Sequence, residues 1–123
     1  MTLVDTSVWI DHLHAREPVL AEFLEQGLVC SHPLVIAELA LGTLSDRRTV
    51  LGLLGALPSV TLATHDEVAR MIESQALFGK GLSAVDAHLL AAARIDPAIR
   101  LWTRDRRLRD AAHDLGVAAV GLA

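Results

Sequence analysis

Residues 1–12 read Met-Thr-Leu-Val-Asp-Thr-Ser-Val-Trp-Ile-Asp-His, and the fold is decided by this stretch. A short apolar run, Leu3-Val4, meets Asp5 and then two hydroxyl residues, Thr6 and Ser7, before a second apolar pattern begins. This order predicts a strand that ends on an acid and a helix that starts beside it. In an open α/β sheet, the carboxyl ends of the strands are where ligands bind.

Taken alone, Asp5 could also have a purely structural role at the start of the helix. Thr6 or Ser7 is a suitable N-cap for the helix, and a carboxylate near a helix N-terminus is favoured by the helix dipole. Asp5 is therefore as good a helix-start residue as a reactive group, unless other acids converge on it.

The length and composition predict one globular domain. The chain has 123 residues, of which 52% are hydrophobic and 21% are charged, and this composition excludes a disordered chain. No apolar run approaches the roughly 18 residues that a membrane span needs. Asp5 and Asp11 interrupt the N-terminus where a signal peptide would need an apolar stretch. We therefore expect a cytoplasmic protein.

The charge and the rare residue types exclude several kinds of site. Cys30 is the only cysteine, so the chain can form no internal disulfide and no cysteine-based zinc site, and its apolar neighbours predict a buried strand residue. A formal net charge of -4 argues against binding nucleic acid through a bulk positive potential, and aromatic residues at 3% leave few stacking platforms. Trp9 and Trp102 are expected in the core or in an interface. Any phosphate contact must be local or carried by metal ions.

Strand and helix patterns alternate along the whole chain. Strands are predicted at residues 3–4, 28–31, 60–62, 99–103 and 117–120. Helices are predicted at residues 8–13, 18–26, 33–41, 45–57 with Ser45 as cap, 64–78, 83–95 and 104–115, with capping boxes at 64–67 and 83–86. This alternation predicts an α/β fold with a mostly parallel sheet covered on both faces.

Four acids are candidates for one site. Asp5 and Asp105 each follow an apolar strand within a few residues, so both are expected at the same edge of the sheet. Asp86 lies in the first turn of a helix whose preceding loop reaches that edge if the connections are short. Glu38 lies inside a helix on a largely apolar face, where a glutamate is costly unless it faces a partner, a metal or water.

Each acid also has a structural explanation. Asp86 stands at the last position of a capping box, which is a routine helix-start device, and Asp105 is similarly favoured by the dipole of the last helix. Asp11 is expected to be solvated. His88, two residues after Asp86, is expected to be a supporting or surface group. Glu38 is the acid that a structural role explains least well.

The chemistry of the four acids is constrained if they converge. Carboxylates that lie together repel, so either some are protonated or cations neutralise them. Hard oxygen ligands, without cysteine and without a histidine pair at ligand spacing, select Mg²⁺ or Mn²⁺ over zinc. A pair of such ions activates a water and stabilises the departing oxygen in a phosphodiester displacement. The acids therefore indicate a nuclease.

Four segments of the chain carry a resemblance to a known family. They are LVDTSVWID at 3–11, AELALG at 37–42, LSAVDAHLLAAA at 82–93 and LWTRDRRL at 101–108. In order and spacing they resemble the PIN-domain ribonucleases, and among these most closely the VapC toxins of bacterial toxin–antitoxin pairs. The resemblance implies a single PIN domain over residues 1–123, with a three-layer α/β/α architecture and a sheet of about five strands. It departs mildly at Leu108, where many relatives carry an aromatic residue.

The resemblance also implies a site and an activity. The matching acids form a Mg²⁺ site, which Mn²⁺ also fills, and a matching hydroxyl residue supports it; the implied metal ligands and catalytic residues are Asp5, Glu38, Asp86 and Asp105, with Thr103 as the supporting catalytic residue. Thr6 and Ser7 occupy the hydroxyl positions after the first acid. The implied activity is cleavage of structured RNA, transfer or ribosomal RNA, which arrests translation. The implied partners are a second copy of the chain and a VapB-type antitoxin that wraps the toxin and blocks the acidic cleft, with no membrane involved.

Basic residues near the fourth acid offer local phosphate contacts. They are Arg104, Arg106, Arg107 and Arg109 around Asp105, and Lys80 in a glycine loop. A solvated helix face explains Arg107 and Arg109 equally well.

Three other functions remain open from the residues. The first is a PIN nuclease for RNA processing that has no antitoxin. The second is a phospho-receiver or other α/β binding module that uses Asp5 as acceptor. The third is a catalytically silent family member that only binds a DNA-bound antitoxin. The intact set of acids argues against this third function.

Overall fold

The sheet consists of three short parallel strands. In a computed structural model that describes residues 1–123, they are β1 (Thr2–Val4), β2 (Val29–Cys30) and β3 (Arg100–Trp102), in the order β2-β1-β3. Leu3 of the central strand pairs with Cys30 on one side and with Leu101 on the other. Because all three strands run in the same direction, the residues that follow them lie at one edge of the sheet.

Seven helices connect and cover the strands. They are α1 (Thr6–His14), α2 (Pro18–Glu25), α3 (Pro33–Leu41), α4 (Arg47–Ala56), α5 (His65–Ser74), α6 (Ala84–Ile95) and α7 (Arg106–Asp114). The two predicted capping boxes both form, with Thr64 and Glu67 closing the first turn of α5 and Ser83 and Asp86 closing that of α6. None of the helices has the length and apolar character needed to cross a bilayer.

One continuous core joins the sheet to the helices. Leu3 and Val4 are fully buried in the central strand, and the alanine-rich helix α6 packs against β3, α5 and α7. Small alanine side chains on several sides of α6 let neighbouring elements approach it closely, so most of its residues between Ala87 and Ala93 are buried. Trp9, Trp102 and Cys30 are buried, as the sequence predicts.

Two of the five predicted strands are absent. At residues 60–62 the only bridge is that of the preceding residue, Ser59, with Ser31, and residues 117–120 make only the isolated bridge Leu101 to Ala118. The first segment finds no further backbone partners, because the chain turns into α3 immediately after β2. The second segment runs beside a strand that ends at Trp102. The α/β class and the parallel sheet are confirmed, and the sheet has three strands rather than about five.

Several helix boundaries differ from the prediction: α1 begins at Thr6 rather than at residue 8, and α7 begins at Arg106 rather than at residue 104. Two further differences have a common backbone cause. The fourth helix begins at Arg47 after Asp46, which adopts a left-handed backbone with φ 51°, so Ser45 is not the cap. The fifth helix ends at Ser74 rather than near residue 78, because Ala76 adopts a left-handed φ of 50° that an α-helix cannot continue. Both errors arise from non-glycine residues in a conformation that sequence patterns do not indicate.

Candidate active site

Asp5 lies at the centre of the carboxyl edge of the sheet. It follows β1, and its backbone N–H donates to Trp102 O of the neighbouring strand at 2.9 Å. Its side chain is only 6% exposed, and Oδ2 accepts from Ser7 Oγ at 3.0 Å and from Thr103 Oγ1 at 2.7 Å. The carboxylate is therefore a buried, hydrogen-bonded group with a fixed position.

The helix α1 starts without the hydroxyl cap that the sequence predicts. Asp5 is the N-cap residue by backbone geometry but makes no side-chain capping hydrogen bond, and Thr6 and Ser7 are the first helical residues. Their hydroxyls bind carboxylates instead, Ser7 that of Asp5 and Thr6 that of Glu38. The predicted capping role of Thr6 or Ser7 is wrong, because these side chains meet acids that other parts of the fold bring near them.

Thr103 and Ser7 connect the first acid to the segment of the fourth. The buried Thr103 hydroxyl donates to Asp5 and accepts from the Asp105 backbone N–H at 3.0 Å. Ser7 Oγ, 3.4 Å from Thr103 Oγ1, accepts from the Arg104 N–H at 3.0 Å. The sequence singled out Thr103 only through the family resemblance, and it left Ser7 out of the site. The available signal was a second hydroxyl two positions after the strand-end acid.

Asp86 and Asp105 both begin helices. Asp86 Oδ2 accepts from the Ser83 N–H at 3.0 Å, and Asp105 Oδ1 accepts from the Leu108 N–H at 3.0 Å. The helix-start explanation is therefore correct for both residues. Each carboxylate still has one oxygen that is free to bind a ligand, because this second oxygen has no hydrogen-bond partner in the protein. The Leu108 side chain, at the position where many relatives are aromatic, is fully buried.

The negative charge at this edge has no cationic partner. Burial raises the pKa of Asp86, hydrogen bonds from Ser83 oppose this rise, and the charges of Asp5 and Asp105 raise it further. The two salt bridges of the protein both belong to Arg104, and neither reaches these acids. Asp5, Asp86 and Asp105 thus form a set of neighbouring carboxylates whose repulsion the protein alone does not relieve.

Glu38 reaches the same edge through α1, but it is not buried. Its Oε1 accepts from Thr6 Oγ1 at 2.7 Å, and its side chain is exposed. The buried residues of α3 are Val35 and Leu39, and the glutamate lies to the side of this stripe. The prediction of an apolar surrounding for Glu38 is wrong, because α3 is apolar on most of its sides and the sequence does not reveal which side packs. Thr6 is the one residue that hydrogen-bonds the Glu38 carboxylate, and the rest of the side chain is exposed.

The four acids carry the oxygen ligands that a divalent ion prefers, but their side chains are not oriented towards one common point. No group of three or more histidine, cysteine, aspartate or glutamate side chains is close enough together to hold a metal ion. The reason is visible in the hydrogen bonds, since Asp86, Asp105 and Glu38 each direct an oxygen to a helix N–H or to Thr6. Oxygen donors with unrelieved negative charge are nevertheless what Mg²⁺ and Mn²⁺ require.

Arg104 is not free to bind phosphate. Its guanidinium lies 2.7 Å from Asp11 Oδ2 and 3.0 Å from Glu17 Oε2, and it stands over the Trp102 ring. Hydrogen bonds to Glu17 and then to Asp11 raise the pKa of Arg104. Asp11 is exposed, as the sequence predicts, and it also pairs with Arg104 from the other end of the chain, which no local pattern indicates. Arg106, Arg107 and Arg109 are exposed and form no ion pair.

Three histidines lie against one another near the start of α3. His32 is buried and caps this helix, with Nδ1 accepting from the Leu34 N–H at 3.0 Å, while its buried Nε2 has no partner. The half-buried His88 meets the His32 and His65 rings edge to face. Burial lowers the pKa of His32 and of His88. His88 is thus a packing group rather than part of the acid set.

Comparison with known proteins gives the family of the chain. The family model described as PIN domain matches residues 2–114. The chain is 50% identical over 118 residues to proteins named Ribonuclease VapC32 from two Mycobacterium tuberculosis strains, CDC 1551 / Oshkosh and ATCC 25618 / H37Rv. The aligned region covers 96% of this chain and 95% of each relative. The matched range spans the positions of all four candidate acids, and a PIN-domain match disfavours a phospho-receiver.

Proposed function

The chain belongs to the PIN-domain family of VapC ribonucleases, and from this premise we propose that it is a Mg²⁺- or Mn²⁺-dependent endoribonuclease that acts as a toxin. The observation that carries the metal dependence is the set of carboxylates around Asp5 that no cation of the protein neutralises. The proposed substrates are structured RNAs of the translation machinery, transfer or ribosomal RNA, and the place of action is therefore the cytoplasm.

The residues of this chain divide the work as follows. Asp5, Asp86, Asp105 and Glu38 would hold the metal. When bound, the divalent ion supplies the positive charge that activates a water and stabilises the oxygen that departs from the phosphodiester. Thr103 and Ser7 hold the Asp5 carboxylate in place through two hydroxyl hydrogen bonds. Asp5 is thereby held in a fixed position at the base of the site.

The test of this proposal is RNA cleavage by matched aspartate variants. We expect Asp5→Asn and Asp86→Asn each to lower the cleavage rate by on the order of 100-fold or more, because each removes a charged metal ligand. Asp110→Asn is the control, since Asp110 is an exposed acid on α7 that makes no side-chain hydrogen bond in the site. Cleavage is measured with purified RNA in Mg²⁺, in Mn²⁺ and with a chelator.

Two results would contradict the proposal. One is cleavage by Asp5→Asn or Asp86→Asn at the rate of the unmodified protein. The other is an unchanged cleavage rate in the presence of the chelator. That result would show that the protein is a ribonuclease that does not depend on a metal ion.

An antitoxin and a second copy of the chain are the proposed partners. An apolar surface cavity of about 370 Å³ lies between α1, α2 and α4, and we propose it as the place where an apolar segment of an antitoxin docks. Leu53 in its wall is 66% exposed, and Trp9 Nε1, a buried donor in the same wall, has no acceptor. Co-expression with the product of an adjacent small gene, followed by co-purification, tests this partner. A ribonuclease without such a neighbour would instead be an RNA-processing enzyme. Light scattering measures whether the chain is a dimer.

A further inference from the structure

Arg107 is held against the loop that leads to Asp86. A Cβ atom placed on Gly81 would lie 2.8 Å from Arg107 Nη1, 2.9 Å from its Cδ and 3.0 Å from its Cζ. Gly81 also has a left-handed φ of 75°. The arginine side chain therefore lies on backbone that only a glycine leaves open at this point.

This contact joins the helix of the fourth acid to the loop that precedes the third. Arg107 is in the first turn of α7, the helix that Asp105 caps. Gly81 precedes Ser83, whose N–H holds Asp86. The Arg107 side chain thus reaches from the helix that Asp105 caps to the loop that leads to Asp86.

Arg107 has a charge that nothing in the protein uses. It makes no hydrogen bond and no ion pair, whereas Arg104 is fully engaged by Asp11 and Glu17. A positioned guanidinium with free donors is suited to a phosphate group, which it binds through two parallel hydrogen bonds. The chain carries a net charge of -4, so an RNA that approaches these acids needs such a local cation.

We propose that Arg107, positioned by Gly81, binds a phosphate of the RNA substrate beside the acidic site. This inference rests on the proposed ribonuclease function and adds a substrate-binding residue to it. It also resolves an ambiguity of the sequence, in which a solvated helix face explained Arg107 equally well. The contact is to the backbone of the RNA, so it contributes affinity without sequence preference.

The experiment measures RNA binding rather than cleavage. The Asp86→Asn protein serves as the parent, because it is expected to bind RNA without cutting it, and fluorescently labelled bulk transfer RNA is the probe. Binding constants are measured by anisotropy over a series of salt concentrations for the parent and for three variants in the same background, Arg107→Ala, Arg107→Lys and Arg94→Ala. Arg94 is an exposed arginine in the last turn of α6, at the opposite end of that helix from Asp86, and it controls for the loss of one positive charge.

Arg107→Ala is expected to weaken binding about tenfold, the effect of losing a charge-assisted contact. It is also expected to lower the slope of log K against log salt by about 0.7 to 0.9, the value of one phosphate contact. Arg107→Lys should keep most of the slope and lose part of the affinity, since an ammonium lacks the planar pair of donors. A structural role alone would move the melting temperature and leave the slope unchanged.

The proposal is overturned if Arg107→Ala binds RNA with the affinity and salt slope of Arg94→Ala. That result would leave the ribonuclease function standing. If the parent binds no RNA and the unmodified chain cleaves none, the proposed function falls together with this inference.

Discussion

At the scale of single residues, Thr103 holds the candidate site together. Its one hydroxyl donates to the Asp5 carboxylate and accepts from the Asp105 N–H, so it fixes two acids that are 100 positions apart in the sequence numbering at once. The side chain is buried, and water cannot replace it without opening the structure. Removing the hydroxyl therefore leaves the Asp105 N–H without its acceptor and leaves Ser7 as the one hydroxyl that still donates to Asp5 Oδ2.

We expect Thr103→Val to lower the RNA cleavage rate by about 10- to 100-fold, the effect of losing a group that orients a metal ligand. The free energy of unfolding should fall by roughly 1–3 kcal/mol, because two buried hydrogen bonds are lost from a side chain of similar shape. Urea denaturation and RNA cleavage measure the two effects. Thr103→Ser keeps the hydroxyl and should keep most of the activity. Normal cleavage by the valine variant would show that Asp5 does not need the hydrogen bond from Thr103.

At the scale of the elements, helix α4 contains two glycines at positions where neither the backbone conformation nor a close contact requires glycine. Gly52 and Gly55 are exposed in its interior, neither has a left-handed φ, and a Cβ on either would meet nothing within 4 Å. Glycine in a helix interior costs stability because it restricts more backbone freedom on folding than alanine does. Gly81 is the opposite case, with a left-handed φ and the Arg107 side chain in the way.

Gly52→Ala is expected to raise the free energy of unfolding by about 0.5–1 kcal/mol, as for other glycines inside helices. Gly81→Ala, the same chemical change, is expected to lower it, because the backbone is strained and Arg107 must move. Urea denaturation of both variants measures these opposite signs. Destabilisation by Gly52→Ala would mean that α4 is not helical at this position or that something covers it.

At the scale of the whole molecule, buried histidines make stability depend on pH. Burial lowers the pKa of His32, and the neighbouring His88 lowers it further. In the unfolded chain a histidine binds its proton near a pKa of about 6.5, and the folded chain resists this proton. The unfolded state therefore binds more protons as the pH falls, so the folded state loses stability below this pKa and keeps it above.

We expect the free energy of unfolding to fall between pH 7.5 and pH 5.5, and His32→Asn to make this decline shallower. Asparagine retains an acceptor for the N-cap of α3 but has no titrating group. The decline should not vanish, because burial lowers the pKa of His12 and His88 as well. Denaturant midpoints at a series of pH values test this. An equal slope in the two proteins would show that His32 does not contribute.

The amino-acid sequence alone predicts much of the local structure and names the acids of the candidate site. Both capping boxes, at Thr64 and at Ser83, form as expected, because each depends on side chains that bond backbone groups three residues away. Helix α3 has the predicted bounds for a similar local reason, with Pro33 at its start and Gly42 after its end. The parallel sheet follows from the alternation of strands and helices, and it places Asp5 and Asp105 at one edge.

The hydrogen bonds and ion pairs between side chains of the candidate site depend on the tertiary structure. Thr103 bonds Asp5 across 98 positions and Arg104 bonds Glu17 across 87, and no local pattern encodes such pairs. The exposed position of Glu38 depends on which side of α3 packs against its neighbours. Two predicted strands are missing because their partners end after two or three residues. Local hydrogen bonds fix where elements start, whereas burial and long-range contacts exist only once the elements have packed.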